Sequence, residues 1–146
     1  MKKITIYTDG GSRGNPGPSA IGIVFCNEND QKIKEYSEML EPGTNNEAEY
    51  QAVILALKKF KALFGKKIAE TAEIEIKSDS ELMVQQLNGE YKIMEENIGK
   101  LFLEVWNLRI DFGKVKFKLI PREKNKEADR LVNEAFDGSS SNKKLL

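Results

Sequence analysis

Acid–base or metal chemistry in this chain must rest on carboxylates, lysine or tyrosine. The 146 residues include no histidine and one cysteine, Cys26. Composition therefore excludes Ser-His-Asp and Cys-His triads, histidine-ligated or cysteine-rich zinc, and an internal disulfide. Cys26 lies in an apolar run with Ile21, Ile23, Val24 and Phe25 and reads as a packed core thiol. What remains for chemistry is Asp, Glu, Lys and Tyr, and carboxylates favour hard cations such as Mg²⁺ or Mn²⁺.

Four acids stand where a fold does not need them. Asp9 ends an alternating apolar segment and is followed by Gly10-Gly11, and Asp79 occupies the same place within Lys77-Ser78-Asp79-Ser80. If those segments are neighbouring parallel strands, both carboxylates emerge at the carboxyl edge of the sheet, where ligands bind in open α/β folds. Each could equally be a turn former or helix N-cap. Glu49 shares a helix face with Ala52, Val53, Ala56 and Phe60, a costly place for a charge unless it is paired, metal-bound or able to reach water. Asp129 flanks the apolar stripe of the last helix, in a first turn where the helix dipole alone would favour an acid. As a set they say more. Four packed carboxylates repel one another and their pKa values rise unless cations neutralise them; two divalent ions balance four charges.

The elements that must position these residues follow from periodicity and punctuation. Strands are expected at Lys3–Asp9, Ala20–Asn27, Lys32–Leu40, Glu73–Ser78 and Val115–Ile120, with a long turn from Gly10 through Pro18 and a break at Glu41-Pro42-Gly43. Thr44 and Glu47 have capping-box spacing for a helix running to Phe64 with Gly65 as its stop. Further helices are expected from Asp79 or Ser80 to Asn88-Gly89, over Glu95–Asp111, and over Asn125–Asp137, the last with its apolar stripe at Ala128, Leu131, Val132, Ala135 and Phe136. Residues 139–146 read as a loose tail after a domain spanning 1–138. This order implies an α/β sheet with an antiparallel hairpin at one side.

Composition, 40% hydrophobic and 32% charged, is that of an ordinary globular domain. No apolar run approaches the ~20 residues needed to span a bilayer, and residues 1–20 lack a signal-peptide core, so no membrane association and a cytoplasmic location are expected. Net charge is +0, yet Lys114, Lys116, Lys118, Arg122, Lys124 and Lys126 cluster, either as a solvated face or facing phosphate.

At the four acids the chain resembles the type 1 ribonuclease H family over nearly its whole length. The run from Tyr7 to Pro18 (YTDGGSRGNPGP) resembles that family's first-strand motif. Thr44-Asn45-Asn46-Glu47-Ala48-Glu49 is similar to its first-helix motif, Ser78-Asp79-Ser80 to its fourth-strand motif, and Ala128-Asp129 closes the set. The resemblance implies a ribonuclease H-like fold: a five-stranded mixed sheet, strands 1–3 antiparallel and strands 1, 4 and 5 parallel, flanked by helices. It implies two Mg²⁺ ions, with Mn²⁺ as a substitute, held by Asp9, Glu49, Asp79 and Asp129, and hydrolysis of the RNA strand of RNA–DNA hybrids to 5′-phosphate and 3′-hydroxyl ends. Substrate contacts are implied at Gly10, Gly11, Asn15, Asn45 and Asn46, the asparagines reading the minor groove and 2′-hydroxyls, with Thr44 near a DNA phosphate. No obligate protein partner is evident, and a monomer is expected.

The chain also departs from the family's best-known pattern. The histidine that many members carry before the last helix is absent from Pro121–Lys126, where Arg122 is the nearest substitute. Glu81 replaces a glutamine after the strand 4 motif, and only five residues separate Gly89 from Glu95, too few for the basic handle of many bacterial members. No separate hybrid-binding module is expected before the first strand. These features resemble archaeal-type members. Two other readings stay open: a binding module that has lost catalysis, and a nuclease acting on double-stranded RNA.

Overall fold

The computed structural model describes the backbone of residues 2–145 and the side chains of residues 2–138. Five strands, β1 (Lys2–Ser12), β2 (Gly17–Cys26), β3 (Lys32–Gly43), β4 (Ala72–Ser78) and β5 (Lys114–Leu119), form one sheet in the order β3-β2-β1-β4-β5. The pairs β1/β2 and β2/β3 are antiparallel, and β1/β4 and β4/β5 are parallel. The helices are α1 (Asn45–Phe64), α2 (Lys66–Thr71), α3 (Glu81–Leu87), α4 (Glu96–Leu108) and α5 (Lys126–Leu145), with 3₁₀ turns at Arg109–Asp111 and Arg122–Lys124. The expected mixed sheet is present, hairpin included.

Burial explains the strand patterns. In β1, Ile4, Ile6 and Thr8 are buried while their neighbours Thr5 and Tyr7 are only partly so, the alternation of a strand with one fully covered face. From Ala20 to Cys26 only Gly22 interrupts the apolar residues of β2, because helices cover both its faces. Ile21, Ile23 and Phe25 join the α1 core with Tyr50, Val53 and Leu57, while Ala20, Val24 and Cys26 meet Leu131, Val132, Ala135 and Phe136 of α5. That α5 packing is close: a Cβ on Gly22 would lie 2.1 Å from the Ala128 carbonyl oxygen. Cys26 is buried and free, as expected of a core thiol.

Several boundaries differ from expectation, each for a local reason. β1 does not end at Asp9. Its parallel ladder with β4 stops at Tyr7–Lys77, but it continues to Ser12 paired with β2 alone, so Gly10-Gly11 are strand rather than turn. β3 likewise passes through Glu41-Pro42-Gly43. The β2/β3 register skips from Ser19–Leu40 to Gly17–Gly43, and Pro42, which has no N–H to give, sits in that irregularity where no ladder bond is lost. Gly65, at φ 91°, does stop α1, with its N–H donating to the Lys61 carbonyl, but the six-residue α2 then intervenes before β4. Its single buried residue, Ala69, leaves no apolar period to read. α4 gives way to 3₁₀ geometry after Leu108.

α5 carries helical backbone to Leu145, beyond the stop expected near Asp137; the side chains of 139–146 lie outside the described residues, and the division of the chain at 138 stays an expectation. Among the described residues no helix is long and apolar enough to cross a membrane.

Candidate active site

Because β1 and β4 are parallel neighbours, Asp9 and Asp79 both lie just past the same end of their shared ladder. α1 brings in the third acid by seating its first turns directly on β1. A Cβ on Gly10 would fall 2.3 Å from the Ala48 carbonyl oxygen, so glycine is what permits the approach. Across that contact the Gly10 N–H donates to Glu49 Oε1 at 2.8 Å. Glu49 is 5% exposed, so it does not reach out to water. One carboxylate oxygen from each of Asp9, Glu49 and Asp79 lies within 4.8 Å of the others. Asp129, from the first turn of α5, lines the same cavity as these three, and its charge acts on Asp9. All four line one open cavity of about 270 Å³, shared with Gly10, Gly11, Asn45 and Arg122.

Capping does not account for Asp79. Ser80 caps α3, its Oγ accepting from the Met83 N–H at 3.3 Å, while Ser78 Oγ accepts from the Ser80 N–H at 3.0 Å. These bonds shape the turn and leave the Asp79 carboxylate facing the cavity.

The electrostatics are those of a site built for cations. Burial, followed by the charges of Asp79 and Asp129, pushes the Asp9 pKa up to about 8. Burial and the charges of Asp9 and Asp79 hold Glu49 well above the usual carboxylate range. Burial raises Asp79 too, against the pull of the Arg122 guanidinium. Arg122 Nε is 3.9 Å from Asp79 Oδ2, but its side chain is 91% exposed, and one screened cation cannot offset four packed acids. An all-oxygen donor set with this much uncompensated charge fits hard divalent ions.

Asn125 is a residue that sequence reasoning missed. Placed just before α5, it looks like an N-cap, yet its side chain turns the other way and Nδ2 donates to the Thr8 carbonyl at 2.9 Å, across 117 residues. Asn125 is 1% exposed and also helps hold the Asp79 pKa down. It ties the start of α5, and so Asp129, to the strand residue preceding Asp9. Only the start-of-helix position was visible beforehand; the long-range bond has no sequence signal.

The expected substrate residues gather at the N-terminus of α1. Thr44 and Glu47 form the capping box, with Thr44 Oγ1 accepting from the Glu47 N–H at 3.1 Å and Glu47 Oε1 accepting from the Thr44 N–H at 2.8 Å. Asn15 Oδ1 accepts from the Asn45 N–H at 3.0 Å, and Asn45 Oδ1 from the Ser12 N–H at 3.3 Å. Asn45 lines the carboxylate cavity; Asn15, Thr44 and Asn46 stand beside it. Lys114, Lys116 and Lys118 are exposed on one face of β5 and do not line it; Lys116 pairs with Glu73 at 3.5 Å. Glu81 accepts from the Tyr91 hydroxyl at 2.8 Å.

Comparison with known proteins agrees with this fold. A family model described as reverse transcriptase-like matches residues 7–135. Ribonuclease HI of Halobacterium salinarum is 35% identical over 135 residues, covering 92% of this chain and 65% of that protein. The bifunctional protein Rv2228c of Mycobacterium tuberculosis is 34% identical over 139 residues, 94% of this chain; the chain spans only 36% of the length of that relative. Among solved structures, LC11-RNase H1, isolated from compost by a metagenomic approach, superposes with a TM-score of 0.88 at 44% identity, covering 95% of this chain and 99% of that one. A second structure holds LC11-RNase H1 in complex with an RNA/DNA hybrid, with a TM-score of 0.88 at 43% identity over 93% of this chain and 98% of that one. With sheet order, the four converging acids and near full-length similarity in agreement, the chain belongs to the ribonuclease HI family.

Proposed function

We propose that this protein hydrolyses the RNA strand of RNA–DNA hybrids with two divalent cations held by Asp9, Glu49, Asp79 and Asp129, leaving 5′-phosphate and 3′-hydroxyl ends. The observation that carries this reading is the meeting of carboxylate oxygens from β1, α1 and the end of β4 within 4.8 Å, in surroundings that disfavour their charge. A binding module gains nothing from clustered acids beside a phosphate backbone. Bound there, a pair of divalent ions, Mg²⁺ first and Mn²⁺ as substitute, supplies Lewis-acid stabilisation at the attacking and leaving oxygens of an in-line displacement. The chain's own part is to present deprotonated oxygens in a fixed array, with the Gly10 N–H orienting Glu49 and Asn125 tying α5 to β1. The same site is complete within one chain, which supports action as a monomer, and a cytoplasmic location is part of this reading.

Hybrid selection falls to the α1 end of the cavity. Asn45 Oδ1 is taken by the Ser12 N–H, which orients its amide and leaves Nδ2 to donate to a 2′-hydroxyl or base edge. Asn15 and Asn46 extend that surface, and Gly10 and Gly11 present backbone to it where they line the cavity. Thr44 serves two roles without conflict: its oxygen accepts in the capping box, while its own O–H proton remains free for a phosphate oxygen. At zero net charge, affinity is modest and falls steeply with salt.

Labelled hybrid, duplex RNA and duplex DNA, each incubated with Mg²⁺, Mn²⁺ or chelator, test the reading. Metal-dependent cleavage of RNA in the hybrid alone is expected. Binding without cleavage identifies a non-catalytic module, and cutting of duplex RNA as well widens the substrate class. Arg122, standing at the cavity in place of the family's loop histidine, is expected to assist turnover. Arg122→Ala lowers steady-state kcat roughly tenfold, less than the ~10²–10⁴-fold of a well-positioned general acid or base, because its side chain is 91% exposed; an unchanged kcat removes Arg122 from this role.

A further inference from the structure

The carboxylate cavity has a second cation on its wall that the acids do not use. Arg13 lines it opposite the β4 edge, together with Val132, Asn133 and Phe136 of α5. Its backbone is fixed by the tight turn between β1 and β2. The Arg13 N–H donates to the Pro18 carbonyl at 2.8 Å, Ser12 Oγ donates to the Gly14 carbonyl at 2.5 Å, and Gly14 holds φ 97°. A Cβ on Gly17 would lie 2.2 Å from the Arg13 carbonyl oxygen, so the turn closes with no room to spare.

The side chain is fixed too, but not by charge. Its guanidinium carbon lies 4.3 Å from the centroid of the Phe136 ring, and Phe136 is itself 6% exposed in the α5 packing. Asp137 Oδ1 is 3.7 Å from Arg13 Nη2, with the two side chains 53% and 75% exposed. A pair that long and wet is worth close to nothing, and Arg13 donates no side-chain hydrogen bond among the described residues. The stack therefore sets the plane of the guanidinium while leaving its N–H fork unspent, the geometry suited to two oxygens of one phosphate. Phe136 is seven residues beyond Asp129, two turns along the same face of α5, or ~10 Å. The guanidinium is thus displaced along the helix from the metal-ligating acids.

We propose that Arg13 is a phosphate clamp, gripping a backbone phosphate adjacent to the one that is cut. This rests on the hybrid-cutting reading above and adds to it the residue that sets the strand's register over the metals. The partner chemistry is a phosphodiester chain; base identity does not enter, because the fork meets only phosphate oxygens.

The test uses hybrid duplexes carrying one uncharged methylphosphonate at each position in turn, bound with Ca²⁺ in place of Mg²⁺ so that binding is read without turnover. For the wild type, neutralising one phosphate next to the scissile one weakens binding roughly tenfold. In Arg13→Ala that position becomes silent, all-charged hybrid binds roughly tenfold more weakly, and the salt slope of log K falls by about one. Arg13→Lys restores the slope while regaining only part of the affinity, because an ammonium lacks the fork. Both variants fold, Arg13→Ala with a Tm lowered by a few degrees because the Phe136 ring loses its cover, so binding is compared at a temperature well below either Tm. If Arg13→Ala keeps the wild-type methylphosphonate profile and salt slope, the clamp is overturned. If instead the wild-type protein cuts no hybrid with Mg²⁺, the proposed function fails first, and the two failures are separate readouts.

Discussion

Asp9→Asn is expected to abolish hybrid cleavage, by ~10³-fold or more, while making the metal-free protein harder to unfold at pH 8. The activity loss follows from position. Asp9 is where the contributions of β1, α1, β4 and α5 meet, and an amide oxygen is a poor substitute for a carboxylate in holding divalent ions. The stability gain follows from linkage. The ordinary Asp pKa is 3.8, whereas in the fold burial and the charges of Asp79 and Asp129 raise it to about 8. Between those values the folded chain keeps a proton that the unfolded chain has released. Stability from this group is therefore fullest below the unfolded pKa and is lost as pH rises toward 8.

The wild-type Tm in chelator should accordingly fall from pH 5 to pH 8, and the fall should shrink in Asp9→Asn. At pH 8 the variant is expected to gain on the order of 2 kcal/mol, roughly 4–8 °C in Tm. Mg²⁺ or Mn²⁺ should raise the wild-type Tm at pH 8 and leave the variant nearly unmoved. Thermal melts at the two pH values, with and without metal, decide it; a wild-type Tm that climbs with pH in chelator contradicts the crowding of these acids.

Gly10→Ala should damage both the fold and the chemistry. The added methyl would meet three backbone atoms, the Ala48 carbonyl oxygen at 2.3 Å, its carbon at 2.4 Å and the Glu49 nitrogen at 2.6 Å. None is the end of a flexible side chain, so α1 must lift from β1. Overpacking against rigid backbone costs ~3 kcal/mol or more, which for a domain of this size lowers Tm by roughly 6–12 °C. The chemistry suffers separately. Lifting α1 lengthens the 2.8 Å bond from the Gly10 N–H to Glu49 Oε1 and moves Glu49 out of the carboxylate array, so Mg²⁺-dependent cleavage should drop at least tenfold even at temperatures where the variant is folded. Circular dichroism melts and rates measured 20 °C below each Tm separate the two effects; full activity in a folded variant would show that Glu49 does not depend on this contact.

The acids were legible because each sits in a local pattern that survives in one dimension. Asp9 follows an alternating strand, Asp79 stands before a serine that caps a helix, and Asp129 lies on the flank of a stripe of period 3.6. Glu49 was legible as an anomaly, an acid on a helix face lined with alanine, valine and phenylalanine. Other features were not. The continuation of β1 past Asp9 depends on β2 supplying a partner after β4 has ended, and β3 runs through Pro42 because a register irregularity absorbs it. Asn125 read only as the first residue of the last helix and proved to be a tie to Thr8. Arg13 looked like a turn residue, and only the packing of α5 places Phe136 beneath it.

Residue types and periodicity alone thus determined the class of chemistry, the α/β order of elements and which carboxylates were candidates, because these depend on local propensity and on what the chain lacks. Tertiary structure decided the rest: that the four acids share one cavity, that burial and mutual repulsion raise the pKa values of Asp9, Glu49 and Asp79, and which neutral and basic neighbours hold them in place. Electrostatic coupling falls off with distance in space, and two residues 117 positions apart acquire a distance only when the sheet and its helices close.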